Sequence, residues 1–380
     1  MKRLFTRLLV LVLALALTAC GGQAANDVPP EGENDDIVCP AGFDGMEELL
    51  AAARAEGELT VCGSCEEAYL SAACQRFEEL FGIRTTYQYV ASDAVQAQSQ
   101  GTPGHPAADV WFGGSAEDYA ACGDAGLLAA YDAVHASHLT DDLYRDAEGL
   151  WYGISVDPLS FVVDRDMLKR MAIDAPTGWA DLLDFRYQEL LWTSNYTYDG
   201  AGRLLLRAVR QQPELFGGDN YLLALDENVA LYAASDAAVT RCLGTGECVI
   251  GISFLSDGIA RIEDGCTNLR LVFPTEGTPC RIAATAIFKG AAHPNAAKLW
   301  TEFALSPACV ELAAANGCFQ FPVLDNAQRP STSAAGLDLR GVVALDRDES
   351  ADVIDACIEE TMTALAEAGA DVGAERFQTP

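Results

Sequence analysis

Small polar residues recur where apolar runs give way to a turn or a helix. They are Ser64, Ser115, Ser194 with Asn195, Ser235 with Asp236, and Ser256 with Asp257. Taken singly, each reads first as a helix cap, its side-chain oxygen accepting from a free backbone N–H. Their recurrence says more. In an open α/β sheet the strand ends converge on one crevice. Helix-start N–H groups point into it and favour an anion, and hydroxyls add short, adaptable hydrogen bonds. Trp111, Phe112, Trp151, Tyr152, Trp192 and Tyr196 fall beside the same strand ends. Core packing is the stronger reading for Phe112 and Trp151, whereas Tyr196 is better placed to line a crevice, next to Ser194 and Asn195.

None of this amounts to a catalyst. The chain has no Gly-x-Ser-x-Gly, no His-Glu-x-x-His and no phosphate loop of the Gly-x-x-x-x-Gly-Lys type. A serine nucleophile needs a positioned base. The four histidines, His105, His135, His138 and His293, read as surface residues in loops or at helix edges, with His105 the best placed to line a cleft. Thirteen cysteines include Cys20 and leave an even dozen, which an oxidising compartment could pair. Cys242 and Cys248 could close a small loop across Gly244-Thr245-Gly246, and Cys309 and Cys318 could staple a helix to the strand after it. Cys62-Gly63-Ser64-Cys65 has redox or metal spacing, but one such pair is a weak motif and no second closely spaced pair accompanies it. The expectation is a non-enzymatic protein with no cofactor and no metal.

The elements that would position these residues alternate. A helix over 46–56 ends at Gly57, a strand spans 58–62, a helix with apolar residues at Leu70, Ala73, Phe77 and Leu80 stops at Gly82, and a strand spans 83–90. Strand candidates then appear at 108–112, 159–163, 190–193, 228–232, 248–254, 269–273 and 282–288. Helices are expected from 116 to 128, over 201–210, from Pro294, over 307–315 and over 350–368. This order predicts α/β layers with a largely parallel sheet.

The first residues, Met1 to Arg7, are short and basic, and Leu8 to Ala19 is apolar except for Thr18. This is a signal-peptide pattern, too short to span a bilayer comfortably. It ends Leu17-Thr18-Ala19-Cys20-Gly21, which resembles the bacterial lipoprotein signal. That resemblance implies cleavage before Cys20 and a diacylglycerol on its sulfur, with two chains giving stable anchoring. The Ala-, Pro-, Gly- and acid-rich stretch after it reads as a tether. The net charge of −32 argues against nucleic acid as a partner. The acidic excess allows two readings, a soluble surface or long-range attraction of a cationic solute.

The segments Gly57-Glu58-Leu59-Thr60-Val61, Ala108-Asp109-Val110-Trp111-Phe112-Gly113-Gly114, Trp151-Tyr152-Gly153-Ile154, Pro176 to Leu183 and Gly251 to Gly258, in this order and spacing, resemble the solute-binding proteins of bacterial ABC importers. The likeness is to the class that holds ferric-ion, thiamine, phosphonate and sugar-phosphate binders. It implies a two-lobed periplasmic-binding-protein-like fold (type II) with two crossing hinge strands. Residues 1–19 would be the signal peptide, 20–45 the tether, 46–156 with 280–345 the first lobe, 157–279 the second, and 346–380 a C-terminal helix and tail. The lobes would close on a solute by bending near 156–158 and 277–281, and a membrane permease would be the partner of a monomeric body. By the same resemblance Ser64, Cys65, Gly114, Ser115, Ser194, Asn195, Tyr196, Ser235, Ser256, Asp257 and Thr278 are the ligand-binding candidates. Asp257 would take solute hydroxyls, and Ser64, Ser115, Ser194 and Thr278 would help hold a phosphoryl group. A phosphorylated or other anionic organic solute is expected, with ferric ion (through Tyr196 and Tyr198) and polyamine as alternatives.

Overall fold

The computed structural model describes residues 38–100, 106–218, 220–330, 332–334, 336–337, 341–343, 345, 349, 351–373 and 375–378. The signal peptide, Cys20, the tether up to residue 37 and His105 lie outside the described residues.

Twelve strands are formed among the described residues. In chain order they are β1 (Glu58–Ser64), β2 (Arg84–Tyr89), β3 (Val110–Gly113), β4 (Leu128–Ala129), β5 (Trp151–Asp164), β6 (Leu191–Ser194), β7 (Val229–Ala233), β8 (Ile250–Phe254), β9 (Leu269–Val272), β10 (Thr278–Phe288), β11 (Phe321–Pro322) and β12 (Val342–Val343). They join in the order β2-β1-β3-β10-β5-β8-β6-β7, with the short β4, β9, β11 and β12 attached at the sides. The pairs β1–β2, β1–β3, β6–β7 and β6–β8 are parallel, as strands linked by crossover helices must be. The long strands β5 and β10 pair antiparallel to each other and to their other long neighbours. This is an α/β mixed sheet.

β5 runs unbroken from Trp151 to Asp164, where the sequence suggested a strand only over 159–163. Up to Pro158 it pairs with β10 (Cys280↔Pro158, Arg281↔Asp157, Ile282↔Val156), and from Leu159 onward it pairs with β8 and β9. Pro158 stands at the change of partners, where its missing N–H interrupts neither ladder. On either side of this change the buried residues form separate clusters. One gathers around Trp111, Tyr119, Trp151 and Phe288, and the other around Phe161, Trp179, Tyr196 and Tyr232.

Helices fall close to their expected places, with local differences. The helix over Glu67–Phe81 stops at Gly82, whose φ of 71° gives the left-handed cap that glycine tolerates. The helix after β3 ends at Asp124 rather than 128, because Leu128 and Ala129 pair with β10. The expected helix over 307–315 keeps only Pro307–Val310 before breaking into turns. The expected disulfides are corrected: Cys242, Cys248, Cys309 and Cys318 form no disulfide. Cys248, Cys309 and Cys318 are buried as apolar fillers instead. No helix among the described residues is long and apolar enough to cross a membrane.

Candidate functional site

The sheet's change of partners brings two charged side chains face to face. Asp157 is the one acid within the run Trp151–Val163 of β5, and Arg281 is the one base of β10. They are cross-strand neighbours. Arg281 Nη2 lies 3.5 Å from Asp157 Oδ2, and its side chain is 34% exposed against 1% for Asp157. The guanidinium sits over the ring of Phe254, 4.1 Å from its centroid, which adds a cation–π attraction. Phe254 ends β8 and precedes the helix Leu255–Glu263.

Asp157, Asp236 and Asp257 stand close enough to act on this cation, Asp118 lines the adjoining cavity, and each is held by short donors. Asp157 accepts from Ser256 N (3.1 Å) and Ser256 Oγ (2.6 Å). Asp257, in the same first turn, accepts from Ser253 Oγ at 2.7 Å. Asp236 opens the helix Asp236–Cys242 and accepts from Ala201 N at 3.0 Å. Asp118 accepts from Ser92 Oγ, and from Ser115 Oγ at 2.8 Å. Burial is the largest cause of their altered acidity. It raises Asp157 to about 7, against the pull of Arg281 and Ser256. It raises Asp236 and Asp118 each to about 6, with Asp257 and Asp199 respectively adding like-charge repulsion. Asp257 is raised too, by burial first. Desolvation works against the charge on Arg281, but Asp157, Asp236, Asp199 and Glu66 outweigh it.

A cavity of about 530 Å³ opens beside these groups. Phe254 and Arg281 line it, with Ser115 and Asp118 from the helix after β3 and Asp199 and Gly200 from the turn before the helix Ala201–Gln211. That volume suits a small metabolite.

The expected site residues divide by position. Ser115 lines the cavity and caps its helix by accepting from Asp118 N. Ser256 and Asp257 belong to the carboxylate cluster. Ser194 Oγ accepts from Gly202 N at 2.9 Å and bonds Asp236. Ser235 caps its helix through Ala238 N. Gly114 has φ of 82°, and an added Cβ there would stand 2.6 Å from Ser92 Oγ. The bare backbone therefore lets Ser92 reach both Ser115 N and Asp118.

The remaining candidates are engaged by the protein itself. Ser64 Oγ donates to Val90 O (2.6 Å) and accepts from Trp111 Nε1 (2.9 Å). Asn195 Nδ2 donates to Gln378 O, at the chain's far end. Tyr196 is fully buried, packed among Tyr232 and Phe377 with its hydroxyl on Tyr232. It is a core residue rather than a cavity wall. Thr278 is also fully buried and donates to Leu159 O. Burial pushes Cys62 up to about 12 and Cys65 well above its usual value, so neither is poised as a thiolate. Among the described residues no group of His, Cys, Asp and Glu could hold a metal ion.

Sequence reasoning overlooked Arg281, Asp157, Asp118 and Asp199 as site groups. A signal for the first two existed: each is a lone charge inside a long apolar strand, and such a charge needs a partner or a purpose.

Residues 118–336 match the family model of the bacterial extracellular solute-binding proteins. An uncharacterized protein of Haemophilus influenzae is 29% identical over 272 residues, covering 70% of this chain and 78% of its own length. Among solved structures, the periplasmic binding protein AfuA from Actinobacillus pleuropneumoniae, with exogenous fructose-6-phosphate bound, is 25% identical, with a TM-score of 0.68 over 82% of this chain and 99% of AfuA. The spermidine/putrescine ABC transporter substrate-binding protein PotD from Streptococcus pneumoniae superposes with a TM-score of 0.67 at 16% identity, over 82% of this chain and 99% of PotD. The chain belongs to the family of bacterial extracellular solute-binding proteins. The role of that family is to bind a solute outside the cytoplasm.

Proposed function

We propose that the cavity takes a small polyhydroxylated solute bearing one anionic group, a phosphorylated sugar being the model case. Residues 46–156 with 280–345 would form one lobe and 157–279 the other, closing over the solute by bending where β5 and β10 cross. The closed form would then dock on a membrane permease. Lipid on Cys20 would keep the body at the membrane.

One observation carries the reading. Arg281, one-third exposed over the ring of Phe254, is attended by Asp157 and Asp257, which serine hydroxyls hold in place. A guanidinium pairs with a phosphate through two parallel hydrogen bonds. Carboxylates are acceptors that suit sugar hydroxyls. The likeness to AfuA with its fructose-6-phosphate supports the same class.

The number of carboxylates favours a second reading. Glu117, Asp118, Asp124, Asp199, Glu349 and Asp355 line the cavity against Arg203, Arg207 and Arg281. That balance would suit a cationic solute such as a polyamine, the class named for PotD. Ferric ion has less support, since the core takes Tyr196 away from Tyr198.

Thermal denaturation with fructose 6-phosphate, free fructose and spermidine separates these cases, because a ligand of the native state raises Tm by mass action. The leading reading expects saturable stabilisation by fructose 6-phosphate, little by fructose, and a radius of gyration that falls on binding in small-angle scattering. Arg281→Gln should weaken fructose 6-phosphate by about thirtyfold or more. Stabilisation by spermidine alone, retained or strengthened in Arg281→Gln, would establish the cationic class instead. A flat response to all three would remove both.

A further inference from the structure

Residues 349–378 lie beyond the part of the chain that the family model matches. Their far end is bonded to β7. Tyr232 N donates to Arg376 O (2.8 Å) and Gln378 N donates to Tyr232 O (2.9 Å), so Phe377 pairs in parallel with Tyr232. The Phe377 and Tyr232 rings stack at 4.0 Å, and Arg376 Nη1 reaches Asp226 Oδ2 at 2.9 Å. Between the two ends, the helix Ala351–Glu367 buries Cys357, Ile358 and Leu365 in the cluster that holds Trp179.

The near end reaches the cavity. Glu349 Oε2 accepts from Arg207 Nε (3.2 Å) and Gln211 Nε2 (2.9 Å). Arg207 Nη1 also donates to Glu117 Oε1 at 3.2 Å. Arg207 is on the helix Ala201–Gln211, and Glu117 is on the helix Ala116–Asp124 beside Asp118. Three separate stretches of chain therefore meet in one ion cluster. The side chains of Arg207, Glu117 and Glu349 are only 7%, 23% and 12% exposed. At that burial a charged contact is weakly screened, and removing one partner of a buried ion pair is destabilising. Glu349, Ile354 and Asp355 line the same cavity as Ser115 and Arg281.

We infer that the C-terminal segment is a strap along the cavity wall: welded to β7 at one end, it ties the helices 116–124 and 201–211 together through Glu349 and Arg207 and sets how quickly a solute leaves. This rests on the reading of the cavity as the solute site. The strap restrains the walls and adds Glu349 and Asp355 to them, so it acts on release and on the size of solute admitted.

The test uses the full chain with Glu349→Gln, which keeps the side-chain shape and removes its charge. Asp352→Asn removes the same charge from an exposed position on the strap helix. Amide hydrogen exchange is followed without any solute, and the release of fructose 6-phosphate is followed by stopped flow. The strap predicts roughly tenfold faster exchange in peptides from 116–124 and 201–211 of Glu349→Gln. It predicts release about tenfold faster with nearly unchanged association, and wild-type behaviour of Asp352→Asn. Wild-type exchange in Glu349→Gln, or equal changes in both variants, would overturn it. If the wild-type chain binds no fructose 6-phosphate, the sugar-phosphate reading falls by that result, and solute-free exchange still decides the strap.

Discussion

Asp157 has almost no access to water, yet it carries a carboxyl group inside the largely apolar run Trp151–Val163. Burial raises its pKa to about 7, Arg281 and Ser256 moderating the rise. The folded state thus holds this proton more tightly than the unfolded chain, where a carboxyl near 3.8 is already ionised. Stability contributed at this residue is fully present below about pH 4 and falls as pH rises toward 7, because the native state binds the extra proton over that range. Asp157→Asn has no such titration. The variant's Tm relative to wild type should therefore grow more favourable between about pH 4 and 7.5, by the equivalent of about 4 kcal/mol at most. Paired melting curves across that range read it directly, and a difference that stays constant with pH would contradict the assignment. Asp118 and Asp236 work in the same direction with smaller rises.

The elements around the cavity are held by close backbone approach as much as by side chains. The helix Ala201–Gln211 starts against the end of β6, where Gly202 N donates to Ser194 Oγ. A Cβ at Gly202 would lie 1.9 Å from Ser194 O, a backbone atom that cannot swing aside. Gly202→Ala must push the helix from the strand, taking with it Gly200 and Arg203 in the cavity wall. Overpacking of this kind costs about 1–3 kcal/mol, and a urea midpoint lowered accordingly, with solute affinity lost in proportion, is the expected result. An unchanged midpoint would mean that the helix start is looser than its contacts imply. The same helix carries Arg207, so its position also governs the ion cluster at the strap.

At the scale of the whole molecule, charge and anchoring set the context for capture. A net charge of −32 keeps the surface soluble and repels nucleic acid. Salt screens that field over about 8 Å at physiological strength, so the nearby Arg281 can still favour an anion that arrives. Attachment at Cys20 is tested by fractionation. The wild-type protein should be recovered with membranes, and the body from residue 21 exported behind a cleavable secretory signal, and so lacking Cys20, should leave the membrane fraction almost entirely. A body without Cys20 that still stays with membranes would exclude the lipid as its anchor.

The sequence by itself determined the layered α/β pattern, since strand and helix periods, the glycine stops at Gly57 and Gly82, and proline-started helices are local properties of the chain. It also pointed to Ser115, Ser256 and Asp257, which sit in first turns where capping chemistry is legible. Only the tertiary structure decided what those turns face. Arg281 and Asp157 are far apart in the chain and meet through strand register, which no local pattern encodes. Tyr196 reads like a cavity aromatic until Tyr232 and Phe377, both distant in the chain, enclose it. Glu349 acquires its role only because the chain returns to Arg207 after passing through both core clusters. Periodicity is written in neighbouring residues, whereas a site is made by the packing of residues that are neighbours only in space.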